Sequence, residues 1–370
     1  MAFLFLFAGF FSFASGLRAE EARKQSISEQ ALERRQKVEL LGFFLKDPKN
    51  AEVPKTPQAV ELFNQAVKYF QSNDYELARQ TLEESIQLDG QNSFAYELLG
   101  DINNYEQKLK EAKANYEIAY NLDPRANLKE KIEKIGTEAH VDKKLSTYGE
   151  EHFVIKYQKQ GDQDKGFELR ELLRTTYRDI SRDFGYYFKR KVVVLLYEEE
   201  DFKKITQLPH WASGVYDGKV RMPINREGFT DQDLKALTAH EVTHAFIAGM
   251  SAGRAPAWIN EGLAVYEEDK VKPRDLILFR SAIKTRTLMS LDQLISQDAT
   301  ASIEDPLLVS LFYEEAFQIT KYLMDRYGVY PVKQILEQFG KGKNSDEAIR
   351  AVLKISPSRL EQEWKATFTK

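Results

Sequence analysis

Thr238-Ala239-His240-Glu241-Val242-Thr243-His244-Ala245-Phe246 is the stretch that decides how this chain is read. Its centre has the form H-E-x-x-H. On a helix, residues four apart stand one turn above each other on the same face. His240 and His244 can therefore reach one metal ion together. Glu241 lies beside that face, where a carboxylate can take the proton of a metal-bound water. The bland alternative is two surface histidines and a salt-bridged glutamate. Leu234, Leu237, Ala245 and Phe246 on the same stretch argue against it, because they require a buried face. Thr230 predicts the N-cap of this helix, Asp231 and Asp233 fill its first turn, and Gly249 or Gly253 ends it.

A catalytic zinc takes three protein ligands and keeps one position for water. The chain has no cysteine, so ligands must come from His, Asp or Glu. A third stands in Pro256-Ala257-Trp258-Ile259-Asn260-Glu261-Gly262-Leu263-Ala264-Val265-Tyr266. A helix starting near Pro256 can lay Glu261 against the first helix, and the small Gly262 and Ala264 permit close helix contact. His, His and Glu with one open position favour a single Zn2+ ion.

H-E-V-T-H followed by P-x-W-I-N-E-G-L-A resembles the gluzincin zinc metallopeptidases, specifically the peptidase MA-like group of bacterial exported proteins. The upstream Gly214-Val215-Tyr216-Asp217-Gly218-Lys219-Val220-Arg221-Met222-Pro223 belongs to the same resemblance, which covers about residues 150–368. It implies a zincin-like α+β domain, with a mixed sheet and a helical C-terminal subdomain. It implies His240, His244 and Glu261 as zinc ligands and Glu241 as general base. Tyr313, ahead of Tyr322-Leu323 and Tyr327-Gly328, is implied as the donor to the oxyanion, with His210 second to it. The ribbon at 213–223 is implied to hold an extended peptide along a sheet edge. One position departs from the family. Many zincins carry a carboxylate four residues after the third ligand to orient a zinc-bound histidine, and here that residue is Val265. Glu267 and Glu268 fall at other spacings, so either the orienting group comes from elsewhere or the site is tuned differently.

Upstream, a 34-residue period pairs Ala66 with Gly100, Ala78 with Ala112, Leu82 with Tyr116 and Ser85 with Ala119. The second copy adds Leu99 and Pro124, while the first has Gly90 at the proline position. This pattern resembles the tetratricopeptide repeat, in which small residues let two antiparallel helices approach. Two repeats need caps, for which residues 20–45 and 127–139 are available. The repeats read either as a helical spacer or as a surface for a protein partner.

Around these modules the chain divides into residues 1–19, 20–57, 58–139 and 140–370. Residues 2–15 are almost wholly apolar, too short to span a membrane as a standard helix and suited to a signal peptide. No Lys or Arg precedes that run, so an uncleaved anchor giving membrane association is the competing reading. Export to the periplasm or outside the cell is expected. Phe153–Tyr157 and Val192–Tyr197 predict strands, 164–184 and 199–206 predict helices, and residues 126–148 read as a charged connection. Asp217-Gly218 predicts a two-residue hairpin turn, and Pro223 places the ribbon near a sheet edge. Beyond 270 the pattern is helical, with caps at Ser290, Asp305, Ser345 and Ser356-Pro357.

Across 370 residues, 42% are hydrophobic and 30% charged, which supports two or three packed domains. A net charge of -4 without a long basic run provides no field for nucleic acid. The leading expectation is an enzyme, a zinc metallopeptidase cutting a peptide or protein substrate. The alternative is a catalytically weak or inactive zincin-like scaffold that binds protein partners through its repeats. A metallohydrolase acting on a non-peptide amide is the third reading. No signature for capture of a free amino terminus is present.

Overall fold

The computed structural model describes residues 56–158, 163–206, 214–224, 229–296 and 306–368. The expected signal segment 1–19, nearly all of segment 20–57, His210 and Asp305 lie outside the described residues.

The described residues open with five helices: α1 (Pro57–Gln71), α2 (Tyr75–Leu88), α3 (Ser93–Tyr105), α4 (Leu109–Leu122) and α5 (Ala126–Asp142). Their starts are chemically marked. The Thr56 hydroxyl accepts from the Ala59 amide with Pro57 in the first turn, and Asp74 and Asn92 cap α2 and α3. The helices pair as α1 with α2 and α3 with α4. A Cβ on Gly100 would lie 2.5 Å from the Tyr116 ring. The second pair thus trades the Ala66 and Leu82 of the first for a smaller and a larger residue. Tyr116 is held in that groove by donating to the Asp101 carboxylate at 2.7 Å. Residues 126–142 form a full helix rather than a loose connection. Leu128 and Ile135 of α5 pack on Leu109, Ala112, Tyr116 and Ala119, which covers the open side of α4.

A five-stranded mixed sheet follows, built from β1 (Leu145–Gly149), β2 (Phe153–Gln158), β3 (Val192–Tyr197), β4 (Val215–Tyr216) and β5 (Val220–Pro223). The order is β1-β2-β3-β5-β4, parallel through β2, β3 and β5 and antiparallel at both edges. Strand β1 lies in what the sequence reads as connection, because its pairing with β2 supplies what its polar residues lack in propensity. Strand β3 is buried at all six positions, as its unbroken apolar run requires for a strand covered on both faces. Val192, Val194 and Leu196 face the main core, while Val193, Leu195 and Tyr197 pack with Val141, Phe202 and Ile205. The second face is therefore closed by α5 and by α7 (Glu199–Thr206), and the first by α6 (Gln163–Phe184) and α8 (Asp231–Ser251).

Helix α8 starts at a capping box in which Thr230 and Asp233 satisfy each other's backbone amides. It ends with Ala252 in the left-handed conformation, immediately before Gly253. Buried residues run all round it, from Ala236 and Leu237 to Val242, Phe246 and Ile247, so it is the central rod of the domain. The rest is helical: α9 (Ala257–Val271), α10 (Ile277–Thr285), α11 (Leu291–Leu294), α12 (Pro306–Tyr327), α13 (Val329–Gly340), α14 (Ser345–Leu353) and α15 (Pro357–Lys365). Ser290 and Ser356 cap as expected. Asn344, not Ser345, caps α14. Ser345 is used inside instead, donating to the Ile295 carbonyl and accepting from the Trp258 indole. Among the described residues no helix is long and apolar enough to cross a membrane.

Candidate metal centre

Helices α8 and α9 carry the centre. The four-residue spacing on α8 places the two imidazoles one above the other, with ring centroids 4.9 Å apart and planes near perpendicular. Helix α9 lies against α8 and aims Glu261 between them. Its Oε2 is 3.7 Å from His240 Nε2 and 3.7 Å from His244 Nε2. One atom from each of the three groups lies within 4.8 Å of the others. Ligand atoms about 2.1 Å from a tetrahedral ion stand about 3.4 Å from one another, so the two distances to Glu261 come within a few tenths of an ångström of those around one zinc-sized ion. Glu241, His244 and Glu261 are buried and His240 is half-buried.

This centre sits in a domain with a recognisable relative. The Peptidase MA superfamily profile matches residues 179–370, from the end of α6 to the last residue. The chain belongs to this superfamily. Its scaffold is peptidase-like, and a tetratricopeptide repeat matches residues 62–92, a module that serves protein interaction. A search of curated proteins returns no match.

Glu268 is the residue that spacing concealed. His240 Nδ1 lies 2.9 Å from Glu268 Oε2, and Arg274 donates to both oxygens of that carboxylate at 3.0 Å. Val265, four residues after Glu261 where many zincins carry the orienting carboxylate, is buried in the core. Two helical turns, seven residues, return to the same face of α9 as well as one turn does, and Glu268 occupies that place. Arg274 lies beyond the helix end, where no local pattern announces it.

The electrostatics of the candidate site favour a cation. Burial pushes the His240 pKa down, but hydrogen bonds to Glu261 and Glu268 and the charges of Glu268 and Glu241 carry it up to about 10. Burial pushes Glu268 up, yet His240 and Arg274 outweigh it and hold the carboxyl near 2. Three carboxylates, Glu241, Glu261 and Glu268, face two imidazoles and the Arg274 guanidinium. With neutral imidazoles two negative charges remain, the charge of one divalent cation.

Tyr313 stands on α12, half-buried in the main core, with its ring edge-on to Phe312. That helix crosses α9 where Gly262 meets the Ala316 carbonyl and the Thr320 hydroxyl. The small residue beside Glu261 thus serves contact with α12. Tyr313 lies one turn before Ala316, on the helix covering the Glu261 segment. Among the described residues, β4 is the outer strand of the sheet at the end nearest α8. Gly214 just before it reaches the metal centre: a Cβ there would lie 2.7 Å from Glu241 Oε1 and 2.8 Å from its Cγ.

Proposed function

We propose that this protein is a zinc-dependent peptidase of the gluzincin kind, with one ion held by His240, His244 and Glu261. The observation that carries the reading is the position of the Glu261 carboxylate, equally distant from the two imidazole Nε2 atoms. Bound zinc lowers the pKa of a water toward neutrality and polarises a carbonyl oxygen. Glu241 accepts the proton of the attacking water and delivers it to the leaving amine. Glu268 holds His240 in one orientation through Nδ1, which keeps Nε2 aimed at Glu261. Tyr313 donates to the oxyanion of the tetrahedral intermediate. An extended substrate adds its backbone to the outer edge of β4, within reach of Gly214 and Glu241. The repeats bind a protein partner, and the apolar residues 2–15 direct export to the periplasm or the outside.

Metal analysis of the purified protein with hydrolysis of a mixed peptide library tests this. Stoichiometric zinc, with cleavage abolished by chelation and restored by zinc, is expected. Zinc-free protein, or cleavage indifferent to chelation, would leave a peptidase-shaped scaffold that works through its repeats.

A further inference from the structure

The β4–β5 hairpin has two ends with different neighbours. Its root, Gly214, lies against the Glu241 carboxylate. Gly214 is absent from the residues with positive φ, so glycine is needed there for space alone. Its tip, Gly218, does require a left-handed φ of 99°, and a Cβ on it would strike the Tyr105 ring of α3. Just past the tip, Lys219 is 0% exposed. Its ammonium donates to Asn104 Oδ1 at 2.7 Å, Gln107 Oε1 at 2.8 Å and Glu138 Oε1 at 2.6 Å, all from the repeat module. Arg221, on β5, donates to Glu138 Oε2 at 2.9 Å and to the Tyr197 hydroxyl at 3.0 Å. Alongside, Arg190 donates to the Tyr75 hydroxyl and lies 4.3 Å over its ring, which stacks with Phe70 and Tyr105. A cavity of only about 20 Å³, lined by Asn73, Tyr186, Arg190, Tyr216 and Gly249 among others, interrupts this seam. A packed seam with buried, hydrogen-bonded charges transmits displacement instead of absorbing it.

We propose that the repeat module positions Glu241 through the β4–β5 hairpin, so that the packing of the repeats on the hairpin tip sets turnover at the metal centre. Lys219, Gly218 and Gly214 are positioning residues in this scheme, and none of them touches the ion. The inference rests on the peptidase reading for its kinetic part and on geometry alone for the coupling.

Two substitutions in the full-length zinc-loaded chain test it. In Gly214→Ala the new methyl meets a side chain before any backbone atom, the Glu241 Oε1 at 2.7 Å and its Cγ at 2.8 Å, so the fold and the zinc content are expected to hold while the base is displaced. The expected result is a kcat lowered by about 10- to 100-fold at unchanged KM, with the absorption spectrum of the cobalt-substituted centre unchanged. Lys219→Met removes the tie to Asn104 and Gln107 and leaves Glu138 paired with Arg221. Backbone hydrogen exchange at 214–216 is expected to rise, kcat to fall, and the double variant to lose less than the two single losses combined. Faster exchange confined to 217–219, or kcat unchanged in both single variants, would overturn the proposal. Were the wild type to cleave no peptide, the catalytic reading would fall, and exchange at 214–216 in Lys219→Met would still decide the coupling.

Discussion

Two buried charge clusters stand at opposite ends of one hairpin, and they are built to opposite specifications. At the seam, Glu138 is 1% exposed and shared by Lys219 at 0% and Arg221 at 1%, with Asp217 completing the set. Two buried cations meet two anions, and the partly exposed Lys134 also reaches Asp217 at 3.5 Å. At the metal centre, carboxylates exceed protein cations, and Glu261 Oε2 stands 3.7 Å from the Nε2 atom of each imidazole. A cluster that closes its own charge fixes one geometry. A cluster in which carboxylates outnumber cations can be completed by a cation from outside. The difference separates a self-closed joint from a centre open to a cation.

The sharpest way to break the comparison is at Glu241. Glu241→Gln keeps size and hydrogen bonding while removing the base, so kcat/KM for a peptide is expected to fall by about 10²- to 10⁴-fold with zinc content intact. Equal turnover in the variant would remove the reaction centre from the comparison. At the seam, Glu138→Gln leaves two buried cations short of an anion. A loss of about 3–5 kcal/mol in denaturant unfolding is expected, with little change in zinc affinity.

The same residue gives a pH signature. Burial pushes the Glu138 carboxyl up, but Arg221 and Lys219 outweigh it and hold it at about 2, below its ordinary 4.5. A folded-state pKa below the unfolded one stabilises the protein above about pH 4.5, and that contribution is lost as pH falls toward 2. Thermal melting of the wild type is expected to decline across that window, and Glu138→Gln to lack this share of the decline. Parallel curves would show that the seam is not the acid-sensitive joint.

Two smaller effects sharpen the other side. Tyr313→Phe is expected to lower kcat by about 10²-fold with KM little changed, read from steady-state kinetics on one peptide. An unaltered kcat would return Tyr313 to the core, where its packing on Phe312 already gives it a place. Glu268→Ala frees His240 and is expected to weaken zinc binding by about 10- to 100-fold in a chelator competition. Undiminished affinity would make the Glu268–Arg274 pair a surface tie of α9.

Much of this arrangement was legible in the chain itself. His240, Glu241 and His244 are adjacent in sequence, and a helix converts that spacing directly into a shared face. Glu261 was readable because Pro256 starts its helix and Gly262 marks a tight approach. The two repeats were readable from their small and large positions, which encode a local pairing of helices. Fold class follows from the same kind of local signal, from the β-branched run of β3 to the Asp217-Gly218 turn. All of these depend on residues close in sequence, where backbone geometry leaves few choices.

Other features needed the assembled molecule. The α9 periodicity offers both a fourth-residue and a seventh-residue solution for orienting His240, and only the packing of α9 on α8 selects Glu268. The helix that Gly262 lets close is α12, more than forty residues further on, and not α8 as its place beside Glu261 suggests. Lys219 and Arg221 read as ordinary alternating residues of a ribbon, and their burial comes from α3 and α5, 81 to 115 residues away. The sequence by itself determined which residues could hold a metal, because ligand spacing is a property of one helix. The tertiary structure decided what steadies those residues and what the hairpin connects, because long-range contacts are fixed by how helices and sheet pack together.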